Sequence, residues 1–147
     1  MRVVLGADAA GMTALEVVRR AVTDHGATRL DLPGPDEGMI DFPDIAQALS
    51  LKILNGDAEL GIMVCGTGIG AAMAANKVRG IRAALAHDIH SAHQCVEHDD
   101  ANVLCLGAQI VGAWVIPELI QAFLSAKFAN TEDYRRRLEK MARLEHA

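Results

Sequence analysis

The sequence predicts an α/β domain in which helices cover both faces of a five-stranded parallel sheet. Three observations predict it. Short apolar runs alternate with amphipathic stretches, the pattern of repeated strand–helix units joined by right-handed crossovers. Of the 147 residues 51% are hydrophobic but only 3% are aromatic. The core is therefore aliphatic, as expected of strands buried on both faces. Finally, the run Leu60–Val64 passes at once into a glycine-rich loop and then into a helical pattern.

The elements follow in order. Arg2–Leu5 reads as the first strand and ends at Gly6. Met12–His25 places Leu15, Val18, Ala21 and Val22 near helical spacing. Thr28–Leu32 is a weaker strand, and residues 32–43, with Pro33, Gly34, Pro35 and Gly38, read as a loop. Asp44–Leu54 is a helix closed by Asn55-Gly56. Leu60–Val64 is the third strand, Ile69–Lys77 a helix, Ile81–Ala86 the fourth strand and Ile89–Glu97 a helix. Val103–Leu106 is the fifth strand, ending at Gly107. Pro117–Lys127 is a helix with Pro at its first turn, and Thr131–Leu144 is a charged last helix with Thr131 as its N-cap. With no repeat, linker or low-complexity stretch, residues 1–147 read as one domain, a Rossmann-like three-layer α/β/α sandwich.

Composition excludes several classes. A net charge of −5, with Arg135-Arg136-Arg137 as the one basic run, argues against a nucleic-acid surface. No apolar run is long enough to span a membrane. Cys65, Cys95 and Cys105 are odd in number and form no CxxC pair, which points to a reducing compartment. With a strand pattern beginning at residue 2 and no signal-peptide pattern, the expected location is the cytoplasm.

In open α/β sheets ligands bind at the carboxyl ends of strands. Three segments fall there: residues 6–11 around Asp8, the loop Cys65-Gly66-Thr67-Gly68-Ile69-Gly70, and His87-Asp88. The Cys65 loop has glycines that allow sharp turns, several backbone N–H groups and a helix start, together an anion site for a phosphate or a developing oxyanion. A thiol at its mouth would be favoured as thiolate and usable as base or nucleophile. Thr67 adds a hydroxyl. The plain alternative is a strand-to-helix turn with a buried Cys. Asp8 suits either a substrate hydroxyl or a cap on the next helix. His98, beside Asp99 and Asp100, suits proton transfer or a solvated helix end. Asp8, Thr67 and His98 are expected near Cys65. Cys95 and Cys105 read as core residues. His90 and His93 lack the partners of a zinc set, so no metal is expected.

Six segments in order carry a resemblance. They are residues 41–44 (Asp-Phe-Pro-Asp), 62–70 (Ile-Met-Val-Cys-Gly-Thr-Gly-Ile-Gly), 74–77 (Ala-Ala-Asn-Lys), 80–84 (Gly-Ile-Arg-Ala-Ala), 97–104 (Glu-His-Asp-Asp-Ala-Asn-Val-Leu) and 106–108 (Leu-Gly-Ala). They resemble the ribose-5-phosphate isomerase B / galactose-6-phosphate isomerase family from residue 2 to about residue 128. The resemblance implies a metal-independent, cofactor-free aldose–ketose isomerase acting on a sugar phosphate through a cis-enediolate. It implies Cys65 as the base and the amides of Gly66, Gly68, Ile69 and Gly70 as enediolate donors. Thr67, His98 and Asp8 would assist ring opening or hold hydroxyls, with Asp99, Asn76 and Arg137 also on the substrate. It further implies a homodimer, or tetramer, that shares its active site, with residues 131–147 packed on the neighbouring subunit. Four positions depart from the family pattern. Ala9 replaces a His, Gln109 a basic residue, Phe42 a Tyr, and Asn130-Thr131-Glu132-Asp133 a Gly-Gly-Arg-His element. The basic groups lost are those suited to phosphate. Three readings remain: an isomerase with a shifted phosphate site or another sugar, the same chemistry on a substrate with little or no phosphate, or a non-catalytic sugar-binding relative.

Overall fold

In the computed structural model, which describes residues 1–39 and 41–146, eleven helices and strands form the expected three layers. The strands are β1 (Arg2–Ala7), β2 (Thr28–Asp31), β3 (Leu60–Cys65), β4 (Ala83–Leu85) and β5 (Val103–Gly107). The helices are α1 (Met12–Asp24), α2 (Phe42–Leu54), α3 (Ile69–Ala75), α4 (Ile89–Asp99), α5 (Ile116–Ser125) and α6 (Glu132–Leu144). All strand pairs are parallel and the sheet order is β2-β1-β3-β5-β4.

Alternate strand residues face opposite ways. Val3, Leu5, Ile62, Val64, Leu104 and Leu106 point to a core built with α1, α4 and α5. Val4, Met63, Cys65, Val103 and Cys105 point to a second core built with α2 and α3. Both faces are covered, which is why these strands are continuous apolar runs. Phe123 of α5 is fully buried in the first core, where truncation to Ala would cost about 3–5 kcal/mol.

The helix that follows β3 lies on one face, whereas those that follow β1 and β5 lie on the other. The chain therefore parts at the carboxyl edge on both sides of β3, and the Cys65 loop stands between two segments that turn away from it. Such a parting is where open α/β sheets form ligand crevices.

Several boundaries move. α2 begins at Phe42, two residues before Asp44, because Pro43 is tolerated in a first helical turn. α5 is Ile116–Ser125, not Pro117–Lys127. β4 is only Ala83–Leu85, because the Arg82 N–H bonds the Asn102 side chain at 2.8 Å and not a neighbouring strand. The loop after β2 contains a short 3-10 turn, Pro35–Glu37. α6 buries no residue completely. It touches its own chain through Tyr134 against His98 and through Glu145, whose Oε1 accepts the Gly80 N–H at 3.1 Å.

Candidate active site

Cys65 closes β3 and is 5% exposed. Its Sγ accepts the Gly68 N–H at 3.1 Å, a contact that fixes the sulfur and offers a donor to negative charge on it. Gly68 is able to make this turn because it sits at φ +78°, in the left-handed region that glycine adopts without strain. The Thr67 hydroxyl is exposed and accepts the Ile69 N–H at 3.4 Å. The first amides of α3 have no acceptor within the helix, and that of Ile69 is the one on Thr67 Oγ1.

The loop rests on the end of β5. Ala108 and Gln109 donate their N–H groups to the carbonyls of Cys65 (2.9 Å) and Gly66 (3.0 Å). A Cβ on Gly107 would stand 2.6 Å from the Thr67 carbonyl carbon, so only glycine lets the two backbones lie this close. The Gln109 amide covers Gly66, and the Phe42 ring lies against Gly70. On the other side the Asp8 N–H bonds Val64 O at 3.2 Å, while Asp8 Oδ1 accepts the Gly11 N–H at 2.9 Å. Asp8 therefore caps the turn into α1 beside the Cys65 loop. His87, just beyond β4, accepts the Gly107 N–H on Nε2 at 3.1 Å. Asp88 caps α4: its Oδ1 takes the Ser91 N–H at 2.8 Å, and that bond holds its carboxyl below the ordinary range.

The other candidates lie elsewhere. His98 was expected near Cys65, but within one chain it is at the opposite edge of the sheet. α4 starts at the carboxyl end of β4 and returns to the amino end of β5, carrying His98 and Asp99 with it. There His98 stacks on Tyr134 with centroids 4.4 Å apart and planes 21° apart, and Arg137 sits 5.6 Å from the Tyr134 centroid. The adjacent Asp100 does not serve His98. It bends back at φ +49° and binds Arg82 Nη2 through Oδ2 at 2.7 Å. Asn76 is at the end of α3 and bonds both the N–H and the carbonyl of Ala83 at 2.8 Å, which occupies its amide in the fold. The structure thus gathers Asp8, Cys65, Gly66, Thr67, Gly68, Ile69 and Gly70 at one edge. Asn76, His98, Asp99 and Arg137 are at the other.

The sequence placed His87 at a strand's carboxyl end and marked Gln109 and Phe42 as departures from the family pattern, but assigned none of the three to the Cys65 loop. The only signal for the first was its place after a strand. Desolvation raises the two remaining thiols: Cys105 is pushed up to about 12 by desolvation and then by nearby Cys65, and the half-buried Cys95 to about 11 by desolvation and then by Asp99. Among the described residues no group of three His, Cys, Asp or Glu side chains is arranged to hold a metal ion, and no helix is long and apolar enough to cross a membrane.

A parallel sheet parted around β3, with a thiol and a ring of backbone donors at the parting, defines a protein built to handle a small anionic or oxyanion-forming substrate. Comparison with known proteins sharpens this class. The Ribose/Galactose Isomerase family model matches residues 3–141. A D-erythrulose-4-phosphate isomerase of Mycolicibacterium smegmatis is 36% identical, covering 87% of this chain and 86% of its own. A putative sugar phosphate isomerase of Bacillus subtilis is 35% identical over 87% of each chain. The structure of Trypanosoma brucei type B ribose 5-phosphate isomerase superposes with a TM-score of 0.93 at 38% identity over 98% of each chain. The chain belongs to this family of aldose–ketose isomerases acting on sugar phosphates.

Proposed function

We propose that this chain interconverts an aldose phosphate and a ketose phosphate of four to six carbons through a cis-enediolate, with Cys65 as the base. The observation that carries the reading is the Cys65 Sγ, buried at the end of β3 and held by the Gly68 N–H at 3.1 Å in the glycine loop that leads into α3. The thiolate takes the proton from C2 of the open-chain aldose. The electron pair passes into C1–C2 and the carbonyl π electrons move onto O1. The amides of Gly66 to Gly70 stabilise that oxygen, an arrangement worth about 3–4 kcal/mol per donor. Transfer of a proton between O2 and O1 and return of the first proton to C1 complete the ketose. Thr67 and Asp8 hold hydroxyls.

The anionic end of the substrate needs cations that the loops of the carboxyl edge lack. Residues 8–11, 32–39, 65–70, 86–88 and 107–111 contain no Lys or Arg. The separated group around His98 and Arg137 supplies them if two copies pair so that the amino edge of one faces the Cys65 loop of the other. In that homodimer His98 of the second copy opens the sugar ring and its Arg137 binds phosphate, with α6 packed across the boundary. The same lack of local cations favours one alternative, the same chemistry on a sugar without phosphate.

Turnover of ribose 5-phosphate, erythrose 4-phosphate, galactose 6-phosphate and the corresponding free sugars, followed with solvent deuterium entry at C1 or C2, tests the reading. Exchange into one of the three sugar phosphates is expected. Exchange only into free sugars selects the alternative, and none at all would leave a binding protein. Mixing Cys65→Ala with His98→Ala protein tests the shared site. About a quarter of the activity should return, because random pairing makes half the dimers mixed and each mixed dimer holds one intact site. No recovery after subunit exchange would rule out sharing.

A further inference from the structure

We infer that His87 is a positioning residue for the Cys65 loop: its imidazole supplies the hydrogen-bond acceptor that holds Gly107, and Gly107 is the floor on which Thr67 and Gly68 lie. The inference rests on the isomerase reading above and adds a residue to it. β4 is the edge strand beside β5, and its backbone pairing ends with the Ala86 N–H on Cys105 O at 3.4 Å. In a continuing parallel ladder the next rung would be a β4 carbonyl accepting the Gly107 N–H. The chain turns away there toward Asp88 and α4, and His87 Nε2 takes that rung at 3.1 Å. Gly107 is buried, so its N–H has no water to fall back on.

The bond is specific in its chemistry. A nitrogen that accepts from an amide carries no proton, so the ring is neutral with its proton on Nδ1. What the bond holds is adjacent to the reacting groups. A Cβ on Gly107 would stand 2.6–2.7 Å from Thr67 backbone atoms, and one on Gly68 would stand 3.2 Å from Gly107 N. Gly68 is also the residue whose N–H is bonded to Cys65 Sγ. A line of direct contacts thus runs from the imidazole through Gly107 and Gly68 to the sulfur. His87 itself acts on the loop's geometry and takes no part in proton transfer. A displacement of about 1 Å at a reacting group costs on the order of 10²-fold in rate, so loss of this acceptor should appear in kcat.

The test compares His87→Gln, whose side-chain oxygen can reach the place of Nε2, with His87→Leu, which fills the space without an acceptor. The expected result is His87→Gln within about threefold of the parent, and His87→Leu down roughly 10- to 100-fold in kcat with KM within about threefold. Equal impairment of both variants would overturn the inference, because a proton-transfer role cannot be rescued by an amide. An unchanged kcat in His87→Leu would overturn it too. Amide hydrogen exchange at Gly107 and Gly68 provides a readout independent of catalysis: protection kept in Gln and lost in Leu supports the inference, and equal protection in both sinks it. This measurement stands even if Cys65→Ala proves active and the base assignment fails. If His87→Leu does not fold, the Gln variant's exchange at Gly107 decides: protection retained supports the inference and protection lost refutes it.

Discussion

The two edges of the sheet use the same kinds of polar side chain for different ends. At the amino edge Asn76, Arg82 and Asn102 are each bonded twice within the chain and in that sense saturated. Asn102 accepts from Arg82 N at 2.8 Å and donates to Gly80 O at 3.0 Å, Asn76 bonds Ala83 twice, and Arg82 holds both the carbonyl and the carboxylate of Asp100. At the carboxyl edge, among the described residues, Cys65 Sγ, Asp8 Oδ1 and Thr67 Oγ1 each accept a single backbone N–H. Saturated groups lock the crossover from α3 into β4 and the return from α4 into β5. Singly bonded groups are oriented yet keep capacity for a substrate. The difference shows that an Asn or Asp inside a family motif is not a ligand by virtue of its type; its edge and its remaining bonding capacity decide.

The strongest break between the edges is expected at Cys65. Cys65→Ala should lower kcat by about 10²–10⁴ and barely move thermal stability, measured by isomerisation rate and calorimetry side by side. Turnover near the parent level would remove Cys65 as the base. Next comes Gly107→Ala. Its Cβ would press on the Thr67 backbone at 2.6 Å, costing about 1–3 kcal/mol of stability by overpacking and shifting the loop enough to lose roughly 10²-fold in kcat. A variant with parental kcat would show that the loop is free to relax away from β5.

What the sequence revealed follows from this contrast. The strands β1, β3 and β5 were readable because both faces are buried, which leaves runs such as Leu60–Val64 without polar interruption, whereas the exposed β2 and the short β4 left weaker signals. The Cys65 loop was readable because glycine, thiol and strand end are local. His98 was misplaced because its edge depends on the path of α4, not on neighbouring residues. Asn76 was given to the substrate because its motif was visible while its two bonds to Ala83, seven residues away, were not. His87 was marked by its place after a strand but given no role, because that role exists only once β5 is inserted between β3 and β4, an order that strand sequence does not encode.

At Asn102, on the amino edge, the expected effect is on stability alone. Asn102→Ala removes an acceptor from Arg82 N and a donor from Gly80 O, both part-buried. A loss of about 1–3 kcal/mol is expected from the unsatisfied groups, read from urea unfolding. The kcat per folded molecule should stay within about threefold; a 10²-fold fall would place the Asn102 lock inside the catalytic machinery.

The smallest effect sharpens the comparison from beneath the site. Cys105 lies in the core opposite Met63, two residues below the level of Cys65, and burial raises its thiol to about 12. The unfolded chain binds its proton less tightly, near the ordinary thiol value of about 8.5. Between these values the native state holds more protons than the unfolded state, so stability falls as pH rises. The stabilisation from keeping this thiol neutral is complete below about pH 8.5 and is lost progressively toward pH 12. The slope from one such group is at most about 1.4 kcal/mol per pH unit. Cys105→Val keeps the apolar volume and removes the titration, so urea unfolding from pH 8 to 10.5 should show a shallower decline than in the parent. Identical slopes would mean that the thiol ionises as readily in the folded protein as in the unfolded chain. The sheet beneath Cys65 would then be wetter than its packing implies, and the contrast between a dry, rigid floor and a responsive loop above it would fail.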